Sequence, residues 1–152
     1  MSDKLDVVGI GNAMVDAIIP SNQSEIEKHE INRDSMNLID ENLKNNLHES
    51  YSIREMAGGG SLGNSMFGVT SFGGNGSFIG KIKNDEIGVY LQKDMIREGL
   101  KFPLGFTSPD ISTGCCTIFV EEDGTRTMCT FLGAGTLIAV SYTHLRAHET
   151  AD

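Results

Sequence analysis

The run Gly58-Gly59-Gly60-Ser61-Leu62-Gly63-Asn64-Ser65 constrains this chain more than any other stretch. Three consecutive glycines can take positive φ and admit another group close to the backbone. The segment behind them opens a helix whose first N–H groups have no intrahelical partner. Leu62, Met66, Val69 and Phe72 recur at helical spacing before Gly73-Gly74 stops the pattern, which puts Asn64 in the first turn. Such a junction can hold a polar small molecule. A flexible connector that ends in a helix is the bland alternative for the same residues.

The chain on either side alternates short apolar runs with helical patterns. Leu5 to Gly11 has almost no polar interruption, the pattern of a parallel strand buried on both faces. If the backbone stays extended past it, Asn12, Met14 and Asp16 share one face. An amide and a carboxylate would then emerge together at the carboxyl end of a buried strand, where open α/β sheets hold ligands. A solvated pair of polar residues at a strand end is the other reading. Gly9-Ile10-Gly11-Asn12-Ala13-Met14 invites comparison with a dinucleotide fingerprint, but Met14 replaces the third glycine and Ala17-Ile18-Ile19-Pro20 reads as strand, not helix.

From Ser21 to Ser50 the sequence is polar and reads as a peripheral layer. Ser24 to Lys28 suggests a short helix, Met36 to Ile39 a brief strand, and Asp40 an N-cap for Glu41 to Leu47. His29 and His48 are isolated there and read as surface residues. Beyond the glycine helix, Gly76 to Ile82 is expected to be one strand, and Asp85-Glu86 to start a helix that buries Ile87, Leu91 and Met95 and ends at Gly99. Pro103 and Pro109 flank a loop, and the strands Cys115–Val120 and Thr127–Leu132 join through Asp123-Gly124 as a hairpin. Helix, strand, helix in this order indicates a doubly wound α/β body, with the hairpin as a separate antiparallel flap.

Composition removes several classes of function. The 152 residues carry a formal net charge of −9, which argues against a nucleic-acid partner, because phosphate binding needs clustered Lys and Arg. No apolar run approaches a membrane span and no signal-peptide layout opens the chain, so the default compartment is cytoplasm. Cys115, Cys116 and Cys129 contain no C-x-x-C pair and read as small apolar residues of reduced strands. Neither a P-loop nor a G-x-S-x-G nucleophile elbow is present.

Four segments in order, Asp6–Asp16 (DVVGIGNAMVD), Gly59–Ser65 (GGSLGNS), Gly73–Gly88 (GGNGSFIGKIKNDEIG) and Thr113–Arg126 (TGCCTIFVEEDGTR), resemble the N-terminal half of the ribokinase and adenosine kinase superfamily, the pfkB-type carbohydrate kinases. The resemblance covers roughly residues 5 to 136 and leans toward adenosine kinase-like members. It implies a ribokinase-like doubly wound sheet with a small β-lid, truncated after the N-terminal half. Asn12 and Asp16 would hold the hydroxyls of a sugar or nucleoside acceptor, and Gly59, Gly60, Ser61 and Asn64 would floor the same site. The segment Ala17–Ile39 and the hairpin would build the lid, through which some family members pair as homodimers. Leu62 and Met66 stand where small residues are usual in the family.

The resemblance also implies ATP and Mg²⁺ as cofactors of the full-length enzyme. The ATP loops, the anion hole and the catalytic base belong to the C-terminal half of such kinases, so no catalytic residue is expected in this chain. Residues 1–138 are thus expected to be the acceptor-binding and lid part, and 139–152 a non-native tail that resembles a translated sequencing adapter. His144, His148 and Glu149 in that tail are set aside as a metal site for the same reason. A chain cut in mid-sheet exposes a strand edge and an apolar face, so the expected state is a silent, poorly folding fragment. A non-catalytic sugar- or nucleoside-binding module is the alternative.

Overall fold

The computed structural model describes residues 4–138, and the tail 139–152 lies outside the described residues. Strand β1 (Val7–Ile10) runs parallel to β5 (Gly76–Ile79), with Val7 opposite Gly76 and Ile10 opposite Ile79. A second, five-stranded sheet takes three strands from the sequence between them and two from beyond β5. Its order is β3-β9-β8-β2-β4, formed by β2 (Met14–Pro20), β3 (Met36–Leu38), β4 (Glu55–Gly59), β8 (Gly114–Val120) and β9 (Arg126–Phe131). β8 and β9 are the antiparallel hairpin, β2 runs parallel to β8, and β4 returns antiparallel along β2. The hairpin is therefore two strands of a larger, five-stranded lid sheet. The glycine run supplies its edge strand β4, an element the glycine content concealed.

Side-chain parity divides the lid sheet into a covered face and an open one. Val15, Ala17 and Ile19 of β2 and Cys115, Thr117 and Phe119 of β8 point to the covered side and are fully buried. Helix α1 (Gln23–Glu27), capped by Asn22, and helix α2 (Glu41–Ser50), capped by Asp40, lie on that side. Ile19, Phe119 and Cys129 pack there with Ile26 and Leu47. His29 and His48 are drawn into this layer rather than left on the surface: His29 Nε2 lies 2.9 Å from the Tyr51 hydroxyl and His48 Nε2 lies 2.9 Å from Thr117 Oγ1.

Helix α3 (Ser61–Ser71) packs on β5, β1 and β4, and α4 (Glu86–Arg97) on β4 and β2. Asp85 caps α4, with Oδ1 accepting the Gly88 N–H at 2.7 Å. Leu91 and Met95 are buried with Ala13, Val15, Met66, Phe78 and Ile82 in the main core. Truncating either to alanine would cost about 2–5 kcal/mol. Phe72 falls at the end of α3 and is 95% exposed, so the apolar stripe ends one turn earlier than the periodicity suggests.

The single strand expected over Gly76–Ile82 is two. At Gly80 a β-carbon would meet Phe78 at 2.6 Å and Ala13 at 2.8 Å, and the chain turns there before β6 (Ile82–Lys83). β6 pairs in parallel with β7 (Phe106–Ser108), a strand lying within the proline-flanked loop. Val7 and Val8 are 40% and 44% exposed, so β1 is not buried on both faces. Its only strand partner among the described residues is β5.

Candidate functional site

The open face of the lid sheet carries Asp16, one of the residues expected from the sequence to contact an acceptor. Strand register sets Leu38, Thr130, Cys116, Asp16 and Ala57 in one row across all five strands. One step along lies a second row, Met36, Met128, Ile118 and Ile18, apolar across four strands and ending at Glu55 on β4. Two carboxylates thus flank an apolar strip, Glu55 at its β4 end and Asp16 one step along β2. Asp16 is half-buried, and its carboxylate has no hydrogen-bond partner among the described residues. Burial raises its carboxyl above the ordinary value of 3.8. An ionised, unpartnered carboxylate at this depth carries a desolvation cost that an incoming donor relieves.

The glycine run fits this geometry closely. A methyl at position 59 would overlap the Asp16 carboxylate, so Gly59 leaves that group its room. Gly60 has φ +79° and is the N-cap residue of α3, with no side-chain cap bond, so the first amides of the helix are left without a side-chain acceptor. Met14 packs on Gly60, and the Asn12 carbonyl oxygen lies 3.7 Å from where a Gly60 β-carbon would stand. Asn64 follows one turn into α3, its N–H donating to the Gly60 carbonyl at 3.0 Å. Asn12, Ser61 and Asn64 are exposed and their side chains have no hydrogen-bond partner among the described residues.

The structure therefore brings Asn12, Asp16, Gly59 and Gly60 together by backbone proximity, with Ser61 and Asn64 at the start of the adjoining helix. From the opposite side Asp94 fixes the run: its Oδ2 accepts the Gly58 N–H at 2.8 Å, while Oδ1 meets the Arg97 guanidinium.

Cys116 and Thr130 also face the site and were not apparent from sequence. Thr130 Oγ1 donates to Cys116 Sγ at 3.3 Å. Burial raises the Cys116 thiol, with the Asp16 charge adding to the effect. Cys115 and Cys129 are pushed up to about 12 by burial, so all three free cysteines are neutral thiols. Alternation within the 114–120 strand shows that Cys115 and Cys116 face opposite ways. Only the pairing of β8 with β2 shows which of them meets Asp16.

Among the described residues no three His, Cys, Asp or Glu side chains converge to hold a metal ion, and none is assigned to Mg²⁺. No described helix is long and apolar enough to cross a membrane.

Residues 5–141 match the model of the pfkB family carbohydrate kinase. A comparison with curated proteins finds no match. Among solved structures, the adenosine kinase from Sinorhizobium meliloti is 36% identical with a TM-score of 0.77, over 91% of this chain and 42% of that one. A probable sugar kinase protein from Rhizobium etli CFN 42 is 32% identical with a TM-score of 0.79, over 90% of this chain and 42% of that one. The adenosine kinase from Schistosoma mansoni, solved in complex with 2-fluoroadenosine, is 21% identical with a TM-score of 0.76, over 93% of this chain and 42% of that one, and shares the fold. The chain spans about 42% of the length of these kinases. With four motifs in order, a lid sheet beside a βαβ body and a family match over nearly the whole described length, this chain belongs to the pfkB family of carbohydrate kinases.

Proposed function

We propose that the chain is the acceptor-binding part of an ATP-dependent kinase that phosphorylates a hydroxymethyl group of a nucleoside or sugar. The observation that carries this reading is the Asp16 carboxylate, half-buried, unpartnered and set over Gly59. A carboxylate is acceptor-only when ionised and can receive two vicinal hydroxyls at once. Asn12, Ser61 and Asn64 supply further donors and acceptors around it. The apolar row Ile18, Ile118, Met128 and Met36 offers a surface for the less polar body of the acceptor, which favours a nucleoside over a small sugar.

ATP, bound with Mg²⁺, supplies the γ-phosphoryl group in such a reaction. The part played by this chain is positional. Asp16 and Asn12 hold the sugar hydroxyls and fix where the hydroxymethyl oxygen points, and the lid sheet covers the acceptor and limits competing water. In this reading the ATP site and the base that takes the hydroxyl proton are supplied by sequence outside this chain, and the chain alone is catalytically silent. Incubation with ATP, Mg²⁺ and adenosine or ribose is expected to give no phosphorylated product, and turnover would overturn the reading.

A sugar- or nucleoside-binding module without transfer chemistry is the second reading. It shares Asp16-dependent binding but predicts a chain with no tendency to self-associate, which the open strand β1 argues against.

A further inference from the structure

Behind the lid sheet, on the side away from Asp16, a cavity of about 430 Å³ lies between α2, the start of α4 and the segment leading into β4. Glu41, Lys44 and His48, which share one face of α2, line it together with Ser112 and Glu86. Ile53, Met56 and Ile87 form an apolar wall.

The charges in this cavity are unusually placed. Lys44 is 6% exposed and makes no ion pair among the described residues. Its Nζ donates to Ser112 Oγ at 3.4 Å and sits 5.3 Å from the centroid of the Phe131 ring. An ammonium has three donors, of which this one makes a single hydrogen bond among the described residues, and burying a charge with no direct ion pair is costly. Ser112 Oγ in turn donates to Glu41. Glu86 is exposed at the rim and unpaired. His48 lines the same cavity, and burial first, then the Lys44 charge, lower its pKa while the Glu86 charge acts in the opposite direction. Asp85 is already committed, its two oxygens accepting from Gly88 N, Thr113 N and Thr113 Oγ1.

We propose that this cavity binds a small zwitterion of the α-amino-acid type. The carboxylate would pair with Lys44, the ammonium with Glu86 and Glu41, and the aliphatic body would lie on Ile53, Met56 and Ile87. A lone anion would meet one ammonium against three carboxylates, Glu41, Glu86 and the committed Asp85, and a lone cation would meet buried Lys44. Only a dipolar ligand answers both signs, and the volume suits a small molecule. The site stands apart from the acceptor face, so its test does not depend on the kinase reading.

Calorimetric titration of the 152-residue chain with L-norleucine, hexanoate and hexylamine tests the assignment. Norleucine is expected to bind saturably and at least about tenfold more tightly than either single-headed compound. Lys44→Met and Glu86→Gln are each expected to weaken it about tenfold or more. Glu86 is exposed, so its variant reports even if the buried Lys44 substitution disturbs folding. Absence of saturable norleucine binding, equal binding of hexanoate or hexylamine, or wild-type affinity in both variants would overturn the proposal.

Discussion

The Asp16 carboxylate lies so close to the α-carbon of Gly59 that a methyl group at position 59 would overlap it. Gly59→Ala therefore forces either the carboxylate or strand β4 to move. The expected result is loss of acceptor affinity by about tenfold or more, with a stability cost of about 1–3 kcal/mol from overpacking. Titration with adenosine and urea denaturation read the two effects separately.

A second carboxylate holds the other side of the same run. Asp94 is buried and accepts the Gly58 N–H at 2.8 Å, tying α4 to β4. Asp94→Ala leaves that buried amide unsatisfied and is expected to cost about 1–3 kcal/mol. Urea unfolding with an unchanged slope would record it as a stability change, not a change in compactness.

His48 gives the fold a pH dependence. Burial first, and then the Lys44 charge, lower its pKa below the ordinary 6.5. As pH falls through 6.5 the unfolded chain takes up a proton that the folded chain still refuses, so stability declines there. Above that range the group contributes no slope. His48→Gln is expected to flatten the stability profile between pH 6.5 and the lowered folded value, which thermal unfolding across a pH series would show.

Strand β1 predicts the solution behaviour of the chain. Val7 and Val8 are exposed and β5 is its one strand partner among the described residues. Open edges beside apolar side chains promote association between copies. Sedimentation velocity is expected to show concentration-dependent self-association that Val8→Lys reduces, and an equal sedimentation profile for both proteins would count against this role of β1.

The parts of this fold legible in the sequence are those with local causes. Asp40 and Asp85 announce their helices because an N-cap bond is made within a few residues. Asp123-Gly124 marks the hairpin because the turn needs positive φ, and Gly124 has φ +86°. The place of Asp16 on one face of β2 was legible through strand parity. What stayed hidden depends on register between distant strands or on packing. β4 is concealed because glycine has low strand propensity, although pairing with β2 makes Gly58 and Gly59 strand residues. The place of Cys116 beside Asp16, the burial of Lys44 and the environment of His48 arise from contacts between residues tens of positions apart.

Asp16, with its unpartnered carboxylate, is the group proposed to recognise the acceptor. Asp16→Asn keeps the shape and removes the charge, and since burial already disfavours that charge, stability should not fall. Calorimetric titration of wild type and Asp16→Asn with adenosine, at concentrations below the onset of self-association, is the most direct measurement. The predicted result is saturable binding to the wild type, weakened about tenfold to a hundredfold in the variant with thermal stability unchanged or raised. Equal affinity in the two proteins would contradict the assignment.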